Sequence, residues 1–333
     1  MEDAEDLKVA PGRGNAELAC LLPHPAADAN KYTRGHLSLV VGSAAYPGAA
    51  CLAAAAGERG GAGYTEVFCA GKSMITVRGW RPSLVVRDWR AWKPAKAPAP
   101  RPGHPTACVI GCGFDAAETS LTSLLMETVR SWEAPLLIDG GALALLANAT
   151  GLRLARERAA AGRATLLTPH GGEATRLAQG VREALEEADD AAARGTRSPL
   201  AEAAGALSPA SRATLAEADP APAALACALA EAYGAVVALK GPVTFIASPD
   251  GTAEVMDRGT SALAKAGTGD VLAGVLGAFL AQGLEPTDAA VLAATLHALA
   301  GRCASVRRTD IGVVAEDVVE ALPEAVSALV ALA

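Results

Sequence analysis

The stretch "ALAKAGTGDVLAG", Ala262–Gly274, packs three glycines and one acid into a turn that opens straight into an apolar run. Gly267 and Gly269 free the backbone for positive φ and for close approach to a ligand. The residues that follow, Val271, Leu272, Val275, Leu276, Phe279 and Leu280, fall on one helical stripe. The amides of Gly267, Thr268, Gly269 and Asp270 then sit at a helix N-terminus, where unbonded N–H groups and the helix dipole favour anions. Asp270 is placed either to cap that helix or to take a proton from a substrate. The glycines on its N-terminal side favour the second role, because a cap has no need of close backbone approach.

Three other turns carry chemistry-bearing residues. "LKGPVTF" sets Lys240 just past an apolar strand, with Thr244 as a nearby hydroxyl, a pairing suited to phosphate or to an ordinary strand turn. "LLTPHGGE" puts His170 and Glu173 in a glycine turn, with Thr168 or His170 also able to cap the following helix. "VIGCGFDAAE" fits G-x-G-x-x-A, but no acid is found to end a following strand about 20 residues on, which argues against a dinucleotide fingerprint. "GSAAYPGAACLA" is a further glycine turn feeding a helix. His24, His104 and His297 have no visible partner, and His297, inside an apolar helix, reads as a core or interface residue.

The elements that must hold these turns alternate. "LSLVVG", "YTEVFCA", "SLVVRD", "TACVIGCG", "APLLID", "RATLL", "GAVVAL", "VTFIAS" and "AEVM" read as strands, with Ala-rich helical runs between most of them and a "PDG" hairpin before the last. Continuous apolar strands alternating with helices predict an α/β fold, a mostly parallel central sheet with helices on both faces, binding ligands at the carboxyl ends of the strands. Residues 1–30 read as an N-terminal tail and 31–333 as one domain. "RAWKPAKAPAPRPGHP" reads as a surface connection. Residues 180–224, rich in Ala and acids, read as a low-complexity excursion whose Glu186, Glu187, Asp189 and Asp190 form a solvated face.

Composition narrows the function classes. The 333 residues carry a net charge of -7 with no basic stripe, which excludes a nucleic-acid surface. Seven cysteines without paired spacing fit reduced thiols in a cytoplasmic protein, and Cys108 and Cys112 lack the His partner of a zinc site. The apolar runs read from the sequence fall short of a membrane span. An anionic ligand would need positive potential from helix N-termini, a metal or a few placed lysines.

Taken together and in order, "KYTRGHLSLVVGSAAYPGAACLAAAAGERGGAG", "VIGCGFD", "LLIDGGAL", "LLTPHGGEATRL", "VVALKGPVTFIASPDG", "ALAKAGTGDVLAGVLGAFLAQGL" and "AEDVVEALP" resemble the ADP- or ATP-dependent NAD(P)H-hydrate dehydratases of the ribokinase-like superfamily, over about residues 31–324. The resemblance implies a ribokinase-like fold, Mg²⁺, ADP or ATP as co-substrate, and NADH hydrate and NADPH hydrate as substrates. It places Ala50, Gly113, His170 and Asp270 against the hydrated dinucleotide. It places Lys240, Gly241, Pro242, Val243, Thr244 and Gly269 against the nucleotide, and makes Asp270 the catalytic base. The implied chemistry is phosphorylation of the ring hydroxyl followed by expulsion of phosphate, a repair of the damaged cofactor.

This sequence departs from the family where Gly141 replaces a second acid, where Lys265 replaces Thr, where Gly171 replaces Pro, and in the length of 180–224. Metal ligands stay unassigned on these grounds. Some members carry an epimerase domain for the hydrate; the residues before Lys31 are too few for one, so that activity is expected from a separate protein or domain. A homo-oligomer is expected. The rival readings are a small-molecule kinase of the same superfamily, acting on a vitamin-type alcohol, and a non-catalytic nucleotide-binding protein.

Overall fold

A computed structural model describes residues 9–97, 100–194 and 207–333. Its centre is a sheet built from β1 (Val9–Ala10), β2 (His36–Val40), β3 (Tyr64–Cys69), β4 (Val85–Asp88), β5 (Thr106–Ile110), β6 (Leu136–Ile138), β7 (Thr165–Leu167), β8 (Val236–Leu239), β9 (Thr244–Ala247) and β10 (Ala253–Met256). The order across the sheet is β1-β10-β9-β8-β7-β6-β5-β2-β3-β4. All neighbours are parallel except that β9 runs antiparallel to both β8 and β10, the hairpin that "PDG" predicts.

The strands are apolar on both faces because both faces are covered. In β2, Leu37 and Leu39 join one core and Val40 the other; in β5, Val109 joins the first and Ile110 the second. The first face carries α2 (Pro47–Arg59), α10 (Thr268–Ala281), α11 (Pro286–Gly312) and α12 (Ala315–Ala331). The second carries α4 (Ser120–Ser131), α5 (Gly141–Leu146), α6 (Ala149–Ala160), α7 (Gly171–Ala193), α8 (Pro209–Ala216) and α9 (Pro222–Tyr233). Between them, α1 (Asn15–Cys20) and α3 (Met74–Trp80) pack at the margins of the first core through Leu18 and Val77.

Five expectations change in the fold. The single apolar stripe expected for α10 is instead burial all round, from Val271 to Ala281. A Cβ on Gly274 would lie 2.2 Å from the Ala53 carbonyl oxygen and one on Gly277 2.3 Å from Val109, so glycine lets this helix wedge between α2 and the sheet. Residues 9–22 are no tail: β1 adds to the sheet edge, Leu18 is fully buried, and Arg13 bridges Glu254 (2.7 Å) and Asp288 (2.6 Å). The Pro-rich connection buries Trp92, whose indole N–H donates to the Thr128 hydroxyl at 3.0 Å and whose ring lies 5.3 Å from Trp132.

The excursion is also shorter than 180–224. Residues 181–191 continue α7, with Val181, Ala184 and Ala188 buried, and Leu207 and Leu215 return to the same core; Glu186, Glu187, Asp189 and Asp190 do face solvent. Residues 195–206 of that segment lie outside the described residues. Finally, α11 is long and apolar enough to cross a membrane by length and composition, unlike the runs read from the sequence. Its apolar window is 72% buried inside the fold, as expected of a core helix.

Candidate active site

The glycine turns meet along one edge of the sheet, at the carboxyl ends of β5, β6, β7 and β8. Gly111, just past β5, has φ 114°, and a Cβ there would lie 2.1 Å from the Asp139 carbonyl oxygen. That close approach brings Cys112 beside Asp139, which ends β6. The Lys240 amide, ending β8, donates to the Pro169 carbonyl past β7 at 2.8 Å, so the "TPHGG" and "KGPVT" turns are laced together.

Asp139 is the hub. Its Oδ1 accepts from the Lys240 ammonium at 2.7 Å and from the buried Thr168 hydroxyl at 2.6 Å, and its Oδ2 accepts from the Cys112 thiol at 3.6 Å. The Cys112 sulfur and one carboxylate oxygen each from Asp139 and Asp270 lie within 4.8 Å of one another. Two carboxylates this close resist joint ionisation. Burial, with repulsion from Asp139 added, raises the Asp270 pKa from 3.8 to about 7, against the opposing pull of Lys240 and the Cys112 hydrogen bond. Burial also works against the Lys240 ammonium, but the Asp139 and Glu173 charges outweigh it and leave its pKa above the ordinary value. Burial and the two carboxylates hold the Cys112 thiol protonated.

The turn before α10 takes positive φ at Gly267 but not at Gly269, which lies inside the helix. Gly267 takes φ 92° as the residue preceding the helix, so Asp270 stands in the first turn and is not the cap. The Thr268 hydroxyl donates to the Leu263 and Lys265 carbonyls at 2.7 and 2.9 Å, and the Lys265 ammonium reaches the Ile311 carbonyl at 2.7 Å. The Thr268 amide is engaged with the Lys265 carbonyl at 3.4 Å. Of the four amides expected to form an anion hole, that one is spent, and the first-turn amides of Gly269 and Asp270 are the natural donors.

In front of this turn lies a cavity of about 640 Å³, lined by His170, Lys240, Gly241, Pro242, Thr244 and Gly269 among others. With Thr268 of the expected anion hole, seven of the expected residues thus share one cavity, while Gly267 and Asp270 are not among its lining residues. Val243 is 38% exposed and is not among its lining residues. Lys240 lines the cavity and is ion-paired with Asp139. His170 caps α7, its Nδ1 accepting from the Gly172 amide at 3.1 Å while Glu173 accepts from the His170 amide at 2.8 Å. Its ring is nevertheless 61% exposed and reaches the cavity wall. Ala50 and Gly113 lie outside that lining. Ala50 is fully enclosed beneath Gly42, so it offers no surface to a ligand; Gly113, with φ 66°, turns the chain over Ala49 and Tyr46.

Sequence reading missed Asp139, Cys112 and the role of Thr168. Asp139 carries the same signal as Lys240, a polar residue closing an apolar strand before glycine, and it is an acid ending a strand after "VIGCG". Its partners come from β5, β7 and β8, which spacing along the chain cannot show. His297, expected in the core or at an interface, is buried and also lines the cavity.

A doubly covered sheet with one antiparallel strand, and a glycine turn feeding a buried helix beside a paired carboxylate, define a ribokinase-like α/β protein. The NAD(P)H-hydrate dehydratase family model matches residues 37–206 and 209–324, and the chain belongs to that family. The chain is 30% identical over 313 residues to the ADP-dependent (S)-NAD(P)H-hydrate dehydratase of Xanthomonas campestris, covering 90% of this chain and 91% of that protein. It is 31% identical over 300 residues to the Bifunctional NAD(P)H-hydrate repair enzyme Nnr of Mycobacterium leprae, where 89% of this chain spans 51% of the relative, about half its length. The ADP/ATP-dependent NAD(P)H-hydrate dehydratase of Bacillus subtilis, co-crystallised with ATP/Mg²⁺, superposes with a TM-score of 0.72 at 25% identity, covering 98% of this chain and 100% of that one.

Proposed function

We propose that the protein returns hydrated NADH or NADPH to the intact cofactor, with ADP or ATP as phosphoryl donor. The observation that carries this is Asp270: a carboxylate in the first turn of a helix whose Gly269 lines the cavity, set beside Asp139 and Cys112, in a chain of this family. Hydroxide is a poor leaving group and phosphate a good one. Asp270 takes the ring hydroxyl's proton as its oxygen bonds to the terminal phosphorus and the bond from phosphorus to the leaving nucleotide breaks. The ring nitrogen's lone pair then expels phosphate, and loss of a proton from the neighbouring carbon restores the ring double bond. A base with a pKa of about 7 suits neutral pH, where it is substantially ionised and still basic.

The Gly269 and Asp270 amides hold the transferring phosphoryl group, and the dry surroundings strengthen them. Lys240 keeps Asp139 neutralised and has further N–H donors free to meet a phosphate. Asp139 fits a magnesium ion bound chiefly by nucleotide phosphates and water, since Mg²⁺ takes oxygen donors and usually one or two carboxylates. The Cys112 sulfur is a soft, protonated donor that this ion does not select. Bound there, the ion would supply positive charge to the terminal phosphates that the acidic chain lacks.

The test is direct. The protein is incubated with NADH hydrate, Mg²⁺ and either ADP or ATP, following NADH absorbance and free phosphate. Both should rise together. Phosphate retained on a stable product would point to a small-molecule kinase instead, and nucleotide binding without turnover to a non-catalytic protein.

A further inference from the structure

We infer that Arg258 binds a phosphate of the nucleotide, with its guanidinium held in place by the N-terminal segment. The inference rests on the nucleotide site proposed above and assigns that site a cation beyond the Lys240 turn. Arg258 lies two residues past β10, lines the same cavity and is only partly buried, so a ligand in the cavity can meet it. Its chain runs against the nucleotide turn, since a Cβ on Gly259 would lie 3.2 Å from the Pro242 carbonyl oxygen.

Charge decides what this residue takes. Among the described residues, the cavity is lined by two full cations, Lys240 and Arg258, and by no Asp or Glu. Lys240 is paired with Asp139. Arg258 has no carboxylate partner. One of its terminal nitrogens donates to the Asn15 side-chain oxygen and the other to the Arg13 carbonyl at 2.9 Å. Both acceptors are neutral, so they orient the guanidinium without cancelling its charge. Glu254 and Asp288 are held by the Arg13 side chain, and the exposed Asp257 forms no ion pair among the described residues. The two bonds use two of the five guanidinium N–H groups and leave three donors for a ligand. Arg302 on α11 donates to the Arg258 and Gly259 carbonyls at 2.9 and 3.4 Å, which fixes the backbone carrying Arg258 and adds a second positive charge beside it. The outcome is an oriented cation in a chain of net charge -7. Its planar fork matches phosphate oxygens, and the nucleotide carries its negative charge there. Asn15 and the Arg13 main chain then act as positioning groups, which gives residues 9–22 a part in nucleotide binding.

Calorimetric titration of ADP, AMP and adenosine into wild type, R258Q and N15A tests this. R258Q should bind ADP about tenfold more weakly than wild type, equivalent to about 1.4 kcal/mol, and bind adenosine as wild type does. An equal fall for AMP places the contact on the α-phosphate, and a fall for ADP alone places it on the β-phosphate. N15A keeps the charge and loosens its hold, so it should lose about threefold for ADP and nothing for adenosine. An N15A protein with wild-type ADP affinity overturns the positioning role. R258Q with wild-type ADP affinity overturns the inference while leaving the nucleotide site standing. Equal losses for ADP and adenosine also overturn it, because the guanidinium then serves the base or the fold. A further measurement needs no variant to fold: wild type is treated with phenylglyoxal, which modifies arginine, and peptide masses report on Arg258. ADP should slow that modification and adenosine should not. Equal rates with and without ADP overturn the inference. Failure of wild type to bind ADP or ATP at all overturns the nucleotide site and the Arg258 assignment together.

Discussion

Replacing Asp270 by asparagine keeps the volume and removes one ionisable proton site. A helix cap would lose stability on this change, but Asp270 stands inside the first turn of α10, with Gly267 preceding the helix. The loss there is the charge–dipole attraction, roughly 0.3–1 kcal/mol. The gain is relief of a carboxylate whose pKa is raised from 3.8 to about 7. At 1.36 kcal/mol per pKa unit that is at most about 4 kcal/mol, reduced to about 1–2 because the side chain is partly open to water. D270N should therefore be more stable than wild type at pH 8, by roughly 1 kcal/mol or a few degrees in Tm. The sign with pH follows from which state holds the proton. Between about pH 4 and pH 7 the native carboxyl keeps a proton that the unfolded chain has released, so wild-type stability falls as pH rises across that window. The advantage of D270N should be absent near pH 4 and complete by pH 8. Its kcat should fall by about 10²–10⁴, since it cannot take the hydroxyl proton, while ADP affinity holds or improves. Melting curves at pH 4.5, 6 and 8 together with kcat test this. An active variant removes Asp270 from the mechanism, and a variant less stable at pH 8 refutes the argument that burial and repulsion disfavour the Asp270 charge.

K240A strips Asp139 of its ammonium, which should cost roughly 3 kcal/mol in denaturant unfolding, and the D139N/K240M double variant should recover at least half of it. Nucleotide KM should rise more than hydrate KM in K240A; an effect confined to hydrate would misplace the nucleotide turn. R13A should lower stability by roughly 1–2 kcal/mol, because Glu254 and Asp288 lose a shared partner; an unchanged melting curve would return residues 9–22 to the status of a tail. Replacing all of 180–224 with a Gly/Ser linker should abolish soluble protein, because Val181, Ala184, Leu207 and Leu215 leave the core; a soluble, active product would show that this packing is dispensable.

The sequence alone determined the strands and their mainly parallel arrangement, because strands buried on both faces are written as unbroken apolar runs. It also determined the glycine turn at Gly267, since a left-handed residue before an apolar helix is a local requirement, and it singled out Asp270 at that turn and Lys240 and His170 at turns that follow strands. It misjudged residues 9–22 and 181–191. Short segments of low complexity declare their burial only through partners such as Glu254, Asp288 and the second core. Tertiary structure alone decided the chemistry of the site. Asp139, Cys112, Thr168 and Lys240 come from four strand ends, and only the β8-β7-β6-β5 order makes them neighbours. The packing of α10 against that edge buries Asp270 beside Asp139, which together raise its pKa, and the strand order pairs Lys240 with Asp139. Charge coupling and desolvation depend on distance in space, which separation along the chain does not fix.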